Sequence, residues 1–153
     1  MPAKKRARKG RPGFMQRHGL SLAVGFVLLL WLGLYVNSDP STHLGAFFGN
    51  ATADWLGMLV IVVATKYLHE IGSAESRPPH PSSRAPFARF LIDHSLTIAL
   101  VVTGVMWGVT YARMDVKGKG AEVVGNIVSE WTQILGLVVI TKYVGEQGSK
   151  EGS

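Results

Sequence analysis

The stretch GLSLAVGFVLLLWLGLYVNS, residues 19–38, contains twenty residues and no charge. At 1.5 Å of rise per residue, a helix of this length is about 30 Å long, which matches the hydrocarbon core of a bilayer. A second uncharged run, of eighteen residues, covers 95–112. Both runs predict helices that span a membrane.

Two further segments, residues 47–65 and 123–141, are nineteen residues long and contain one acid each, Asp54 or Glu130. If the acids are excluded, the uncharged runs shrink to eleven residues, which is too short to span a bilayer. With the acids included, each segment is about 28 Å long as a helix. We therefore predict an all-α integral membrane protein with four transmembrane helices, over about residues 19–38, 45–68, 93–112 and 121–144.

The chain also contains an internal repeat. A shift of 76 residues aligns residues 17–76 with residues 93–152 without a gap, and about a third of the pairs are identical. Because each copy contains two spans, the two tandem copies are predicted to share one orientation, related by an axis along the membrane normal. The first span, although preceded by a basic leader, corresponds to an internal span and is therefore expected to be retained.

The repeat and the local composition divide the chain into four parts. The segment SRPPHPSSRA, residues 76–85, is rich in Pro and Ser and has no apolar period, so it predicts a loop between the repeats. The predicted parts are a basic cytoplasmic tail over 1–16, repeat 1 over 17–76, a cytoplasmic linker over 77–89 and repeat 2 over 90–153.

The distribution of Lys and Arg predicts the orientation. Thirteen of the sixteen basic residues fall in the tail, around the linker or at the end of the chain, and only Arg113, Lys117 and Lys119 fall elsewhere. We therefore expect a multi-pass protein of the cell membrane, plasma or inner, with both termini in the cytoplasm.

The basic tail has three interpretations: a topology signal, a contact with anionic lipid headgroups, or a contact with nucleic acid. It lacks the interleaved aromatic residues of a nucleic-acid surface, so nucleic acid is not an expected partner. The expected partners are the lipid bilayer, anionic headgroups at the tail, and a second copy or another membrane protein.

No cofactor, metal site or enzyme activity is expected. The chain has no Cys, its five His residues are scattered, and it has no nucleophile with a base or His-Glu helix motif. His18 and His94, at the cytoplasmic ends of their helices, are expected to be interfacial caps rather than metal ligands. The Trp and Tyr residues near helix ends are expected to form aromatic belts, with Lys66 and Lys142 reaching the inner interface beside them.

Small residues recur at every fourth position in the second span of each repeat. Such a ridge lets helix backbones approach closely, although Gly and Ala are also common in membrane helices in general. We expect the two ridges to lie near each other in a compact bundle. The candidate packing residues are Gly45, Gly49, Ala53, Ala121, Gly125 and Ser129, with Gly104 and Gly108 in the third span.

The spacing also predicts an intramembrane polar cluster of Asn50, Asp54, Asn126 and Glu130. The amide and the acid of each repeat are four residues apart, which places them on one helix face. If the helices begin late, both acids instead lie among the outer headgroups. If they lie at depth, we expect the carboxyls to face the interior of the bundle.

Three motifs recur loosely in the second repeat: residues 18–22 (HGLSL) at 94–97, residues 49–55 (GNATADW) at 125–131, and residues 72–77 (GSAESR) at 148–151. Together they resemble a prokaryotic family of small, internally duplicated four-helix membrane proteins of unknown function. In the pattern of that family an aromatic residue follows the Asn, whereas here Ala51 and Ile127 follow it. The resemblance covers most of residues 17–152 and implies four spans and a duplication, without an activity.

Two classes of function fit these patterns. The leading one is a structural or accessory protein that works by helix packing, against itself or another membrane protein. The alternative is a small transporter or proton-coupled conduit that uses Asp54 and Glu130.

The absence of Cys makes the orientation testable by labelling. A cysteine at Ser82 should stay protected from an impermeant thiol reagent in intact cells, whereas a cysteine at Lys117 should react. Reaction at Ser82→Cys, or protection of Lys117→Cys that is relieved by permeabilisation, would contradict the predicted orientation.

Overall fold

The four predicted spans are present as helices. A computed structural model describes residues 13–76, 85–115 and 117–144. Four helices of the described residues are long and apolar enough to cross a membrane, so their length and composition are those of a multi-pass membrane protein. The described residues form five helices and no strand: α1 Phe14–Val36, α2 His43–Tyr67, α3 Pro86–Asp93, α4 Ser95–Arg113 and α5 Ala121–Tyr143.

Parts of the predicted organisation lie outside the described residues. These are the basic tail up to residue 12, linker residues 77–84 and the end of the second repeat from residue 145, together with residue 116.

Two helices, α2 and α5, occupy the centre of the bundle. α1 packs against α2, α2 against α5, and α5 against α4. Ala53 and Val138, both 0% exposed, lie in the core between these helices. The outward faces of α1 and α4 expose large apolar side chains such as Phe26, Leu29 and Val105. Such apolar faces are stable in contact with lipid tails. The buried apolar core is confined to the contacts between helices.

Local interactions explain where the first two helices begin. α1 begins at Phe14 rather than near residue 19, because the Gln16 side chain accepts a hydrogen bond from the Gly13 N–H at 3.1 Å. The Thr42 side chain caps α2 by accepting a hydrogen bond from the Gly45 N–H. A Cβ added at Gly45 would clash with the backbone carbonyl of Asp39, so this entry to α2 requires glycine.

The sequence pattern does not predict α3, which begins inside the expected linker. Its first residue is a proline, which suits the first turn of a helix. The break between α3 and α4 results from the loop after α2. In that loop the Ile71 N–H donates to the Asp93 carbonyl at 2.8 Å, and the Leu96 N–H donates to the His69 carbonyl at 2.9 Å. These long-range backbone bonds replace bonds that a continuous helix would make.

Leucine at Gly49 or Gly125 should wedge the bundle apart. An added Cβ would lie 3.1 Å from the Tyr35 ring at Gly49 and 3.0 Å from the Tyr111 ring at Gly125. Overpacking of this kind costs about 1–3 kcal/mol, so the Tm in detergent should fall by several degrees. Gly108→Leu is the matched control, because nothing lies within 4 Å of a Cβ there. An equal loss in the control, or no loss at Gly49 and Gly125, would contradict this packing.

Candidate functional site

The polar residues predicted at membrane depth meet across the interface between α2 and α5. Asn126 Nδ2 donates a hydrogen bond to Asn50 Oδ1. One turn along, the carboxyl of Glu130 lies close enough to that of Asp54 for the two side chains to interact. The fold therefore brings the four predicted residues together as two pairs.

The cluster lies at the edge of the bundle rather than in an enclosed chamber. Asn50 and Asp54 are exposed, whereas Asn126 and Glu130 are half-buried. An added Cβ at Gly57 would lie 3.2 Å from Glu130 Oε2, so glycine at this position leaves room for the carboxylate between the helices. The expected inward orientation describes Glu130 better than Asp54.

The predicted small-residue ridges do not face each other. Gly49 packs against Tyr35 of α1 and Val123 of α5, whereas Gly125 packs against Tyr111 of α4. The small residues therefore serve different interfaces. The other candidates are Gly45, Ala53 and Ala121, which are buried, Gly104, which faces Trp131, Ser129, which is exposed, and Gly108, which has no close neighbour.

The sequence reasoning missed a buried ion cluster where the loop after α2 meets α4 and α5. Glu70 is only 3% exposed, and its Oε1 accepts hydrogen bonds from His94 Nδ1 at 2.7 Å and Lys142 Nζ at 3.0 Å. Its Oε2 and the Thr97 hydroxyl are both buried and make no hydrogen bond of regular geometry, yet they lie near enough to interact. One carboxylate thus connects the end of α2 to both helices of the other half.

Burial alone would raise the pKa of Glu70. Hydrogen bonding from Thr97, His94 and Lys142 outweighs burial and holds the pKa below the ordinary value of 4.5. The carboxylate is therefore charged at neutral pH. This also corrects the expectation of an interfacial cap, because His94 makes no capping hydrogen bond and its side chain binds Glu70 instead.

Two residues expected in aromatic belts are instead buried. Trp131 is 5% exposed and donates a hydrogen bond from Nε1 to Thr103 Oγ1 at 2.8 Å. Tyr35 is 8% exposed, and its hydroxyl donates to the carbonyl of Lys119. Lys119 Nζ donates in turn to the Val36 carbonyl at 2.9 Å, which ties the connection before α5 to the end of α1.

Within residues 13–76, 85–115 and 117–144, no three His, Cys, Asp or Glu side chains come together in a way that could hold a metal ion. Comparison with known proteins finds no matching family model, no matching curated protein and no matching solved structure.

Acidification should weaken the Glu70 cluster. Since the pKa of Glu70 is lower in the folded than in the unfolded chain, the carboxylate stabilises the fold at pH values above its ordinary pKa of 4.5. This contribution is lost as the pH falls through the folded value. The Tm of the wild type should thus fall more steeply between about pH 6 and pH 3 than the Tm of Glu70→Gln.

At neutral pH, Glu70→Gln should already be less stable, because Lys142 loses its counter-charge. Glu122→Gln is the control, since that acid is exposed in the first turn of α5. Equal slopes of Tm against pH in the wild type and Glu70→Gln would contradict the assigned role.

Proposed function

We propose that the chain is a non-enzymatic accessory protein of the cell membrane, which works by helix packing with a second copy or another membrane protein. The observation that carries this proposal is that polar side chains of α2 and α5 engage one another across the interface between these helices. The Asn126 amide donates to Asn50, and the carboxyls of Asp54 and Glu130 lie together. Interhelical hydrogen bonds in membrane bundles contribute about 0.6 kcal/mol on average and up to about 1.7 kcal/mol. Their role is therefore to join helices.

The proposal includes two tandem two-helix repeats, related by a twofold axis between α2 and α5. It is supported by the two polar pairs, because Asn50 and Asn126, like Asp54 and Glu130, are 76 positions apart. This separation equals the shift that aligns the repeats. A residue can touch its own counterpart only near the axis that relates them.

Packing inside each half supports the same arrangement. Gly49 of α2 lies against the Tyr35 ring of α1, and Gly125 of α5 lies against the Tyr111 ring of α4. These two contacts are also related by the shift of 76 residues. The resemblance to a duplicated prokaryotic family remains part of this proposal.

The positions of the basic residues support cytoplasmic termini. Lys66 Nζ donates to the Arg17 carbonyl at 2.8 Å, and Glu70 brings Lys142 to the same end of the bundle. Lys119 lies at the opposite end, against the end of α1. The end that is richer in Lys and Arg is assigned to the cytoplasm by the positive-inside rule. The basic tail, outside the described residues, is proposed to contact anionic headgroups on that side.

One observation favours the alternative, a small transporter or proton-coupled conduit. Asp54 and Glu130 lie side by side, and a pair of carboxyls can hold and pass on a proton. A conduit also needs a wetted path to the pair. Neither acid lines the cavity of about 680 Å³ beside Lys66, or the grooves of about 240 and 510 Å³ along α4. The contact between Asn126 and Asn50 across α2 and α5 supports the packing function.

Proton flux separates the two functions. Liposomes that contain the purified protein and carry an imposed potential should acidify no faster than protein-free liposomes, because the acids serve the helix interface. Flux that is lost in the double variant Asp54→Asn, Glu130→Gln and kept in Glu122→Gln would contradict the packing proposal and establish the conduit.

The Tm of the purified protein measures the helix packing directly. Asn126→Ala removes the donor of the interhelical hydrogen bond and should lower the Tm by a few degrees. Ser129→Ala is the matched control, because Ser129 is exposed on the same helix. If the two variants have the same Tm, the amide pair does not join the helices.

A further inference from the structure

The uncovered face of α5 differs from those of α1 and α4. α1 and α4 expose large apolar side chains such as Phe26, Leu29 and Val105. On α5, by contrast, the exposed face carries the amide of Gln133, near the middle of the helix. Lipid tails offer no hydrogen-bond partner, so an amide in this position is costly unless a protein group meets it.

The chain itself satisfies little of the Gln133 amide. In the part of the chain that the structure describes, its one hydrogen bond runs from Nε2 to Ser129 Oγ of the same helix, at 3.4 Å. This distance is longer than the usual range for such bonds. Thr132 differs, because its hydroxyl donates to the Val128 carbonyl at 2.9 Å. The carbonyl oxygen and the second N–H of Gln133 are therefore available to another molecule.

Three further residues continue this face along α5. Gln133 is followed at positions i+3, i+4 and i+7, which share one side of a helix, by Gly136, Leu137 and Ile140. Leu137 and Ile140 are exposed, and nothing lies within 4 Å of a Cβ added at Gly136. We call these four residues the α5 seam. Glycine beside an amide lets a second helix approach closely enough for a hydrogen bond.

The equivalent face of α2 is covered by the chain itself. The counterparts of the α5 seam, 76 positions earlier, are Gly57, which is buried, and three residues that pack against the core: Val60, Ile61 and Ala64. A Cβ added at Gly57 would lie 3.2 Å from Glu130 of α5. An amide thus replaces glycine in the half where this face is left uncovered, which indicates that the face meets protein rather than lipid.

A second copy of the chain supplies the group that Gln133 lacks. Two copies that insert in the same orientation can be related by a twofold axis along the membrane normal, which places a residue near the axis opposite its own counterpart. An amide is self-complementary, because it contains both a donor and an acceptor. Two Gln133 side chains can therefore donate to each other, from Nε2 to Oε1. The contact of Asn126 with Asn50 uses the same chemistry inside the chain.

We infer that a second copy of the chain packs on the α5 seam, with the two Gln133 amides hydrogen bonded across a twofold axis. This inference rests on the proposed packing function, and it specifies the partner and the surface. Because the equivalent face of α2 is covered, the contact joins one α5 to another α5. Such a contact uses the same surface on both copies, so the assembly closes as a dimer.

Cysteine cross-linking in native membranes tests the surface. Because the chain has no Cys, Gly136→Cys and Ile140→Cys should each give a disulfide-linked product of twice 16.6 kDa on oxidation. Val105→Cys is the matched control, since Val105 is 61% exposed on the outward face of α4 and should stay monomeric. The inference is overturned if neither seam cysteine cross-links, if Val105→Cys cross-links equally well, or if the seam cysteines link to a different protein.

Energy transfer between labelled copies in lipid vesicles tests the amide. Gln133→Leu should raise the dissociation constant of the dimer about 3- to 16-fold, the range expected for one interhelical hydrogen bond in a membrane. Gln133→Asn keeps an amide and should recover part of this loss. Thr132→Val is the control, because the Thr132 hydroxyl is bonded within its own helix. An unchanged dissociation constant in Gln133→Leu, or an equal rise in Thr132→Val, would refute the inference.

Leucine at Gly136 tests the close approach of the two helices. Gly136→Leu should weaken the dimer, whereas Gly108→Leu on α4 should not, although both glycines have room for a Cβ within their own chain. Equal dissociation constants in the two variants would place the contact elsewhere and overturn the inference.

Failure of this inference and failure of the proposed function give different results. If the wild type is monomeric in vesicles, the inference fails, while the Tm of Asn126→Ala still reports whether α2 and α5 are joined. Proton flux that depends on Asp54 and Glu130 would refute the packing function whether or not the α5 seam forms a dimer.

Discussion

The hydrogen bond between Asn50 and Asn126 joins the two helices on which the rest of the bundle is built. An amide inside an apolar span is costly unless another protein group satisfies it, because lipid tails offer no partner. Pairing the two amides sets the register of α2 against α5 and brings Asp54 beside Glu130 one turn along. α1 and α4 then pack on the outer sides of this central pair.

The length of the apolar segments was enough to predict the four long helices. A transmembrane helix needs about twenty apolar residues in any fold. The length of an apolar run is therefore visible in the local sequence without knowledge of the tertiary contacts. α5 begins at Ala121, and the apolar pattern places this helix over about residues 121–144. By contrast, α3 and the break before α4 depend on bonds from His69 and Ile71, more than twenty residues away in the chain. No local pattern encodes such bonds, which is why a simple linker was expected.

The sequence likewise predicts one part of the candidate site and not the other. The polar quartet was predictable because an amide and an acid four residues apart recur in two apolar segments. Glu70 was not predictable, because a glutamate in a polar loop ordinarily faces solvent. Its burial depends on where the fold places His94 and Lys142. The recurrence of Glu70 as Glu146 was the one available signal. The spacing of small residues places them on one face of a helix but does not show which neighbouring helix that face contacts. In the structure, Gly125 packs against Tyr111 of its own half.

The Glu70 cluster and the break before α4 form one cooperative unit. The loop that carries Glu70 also supplies the His69 carbonyl to the Leu96 N–H at the beginning of α4. Loss of the ion pairs would weaken the packing of this loop against α4. If the loop moved away, the Leu96 N–H would lose its hydrogen-bond partner beside an apolar segment. Desolvation would therefore penalise partial undocking, and the ions and backbone bonds reinforce each other. Thus the position of α3 relative to α4 depends on the charge cluster around Glu70, and the pair of Asn50 and Asn126 alone does not determine it.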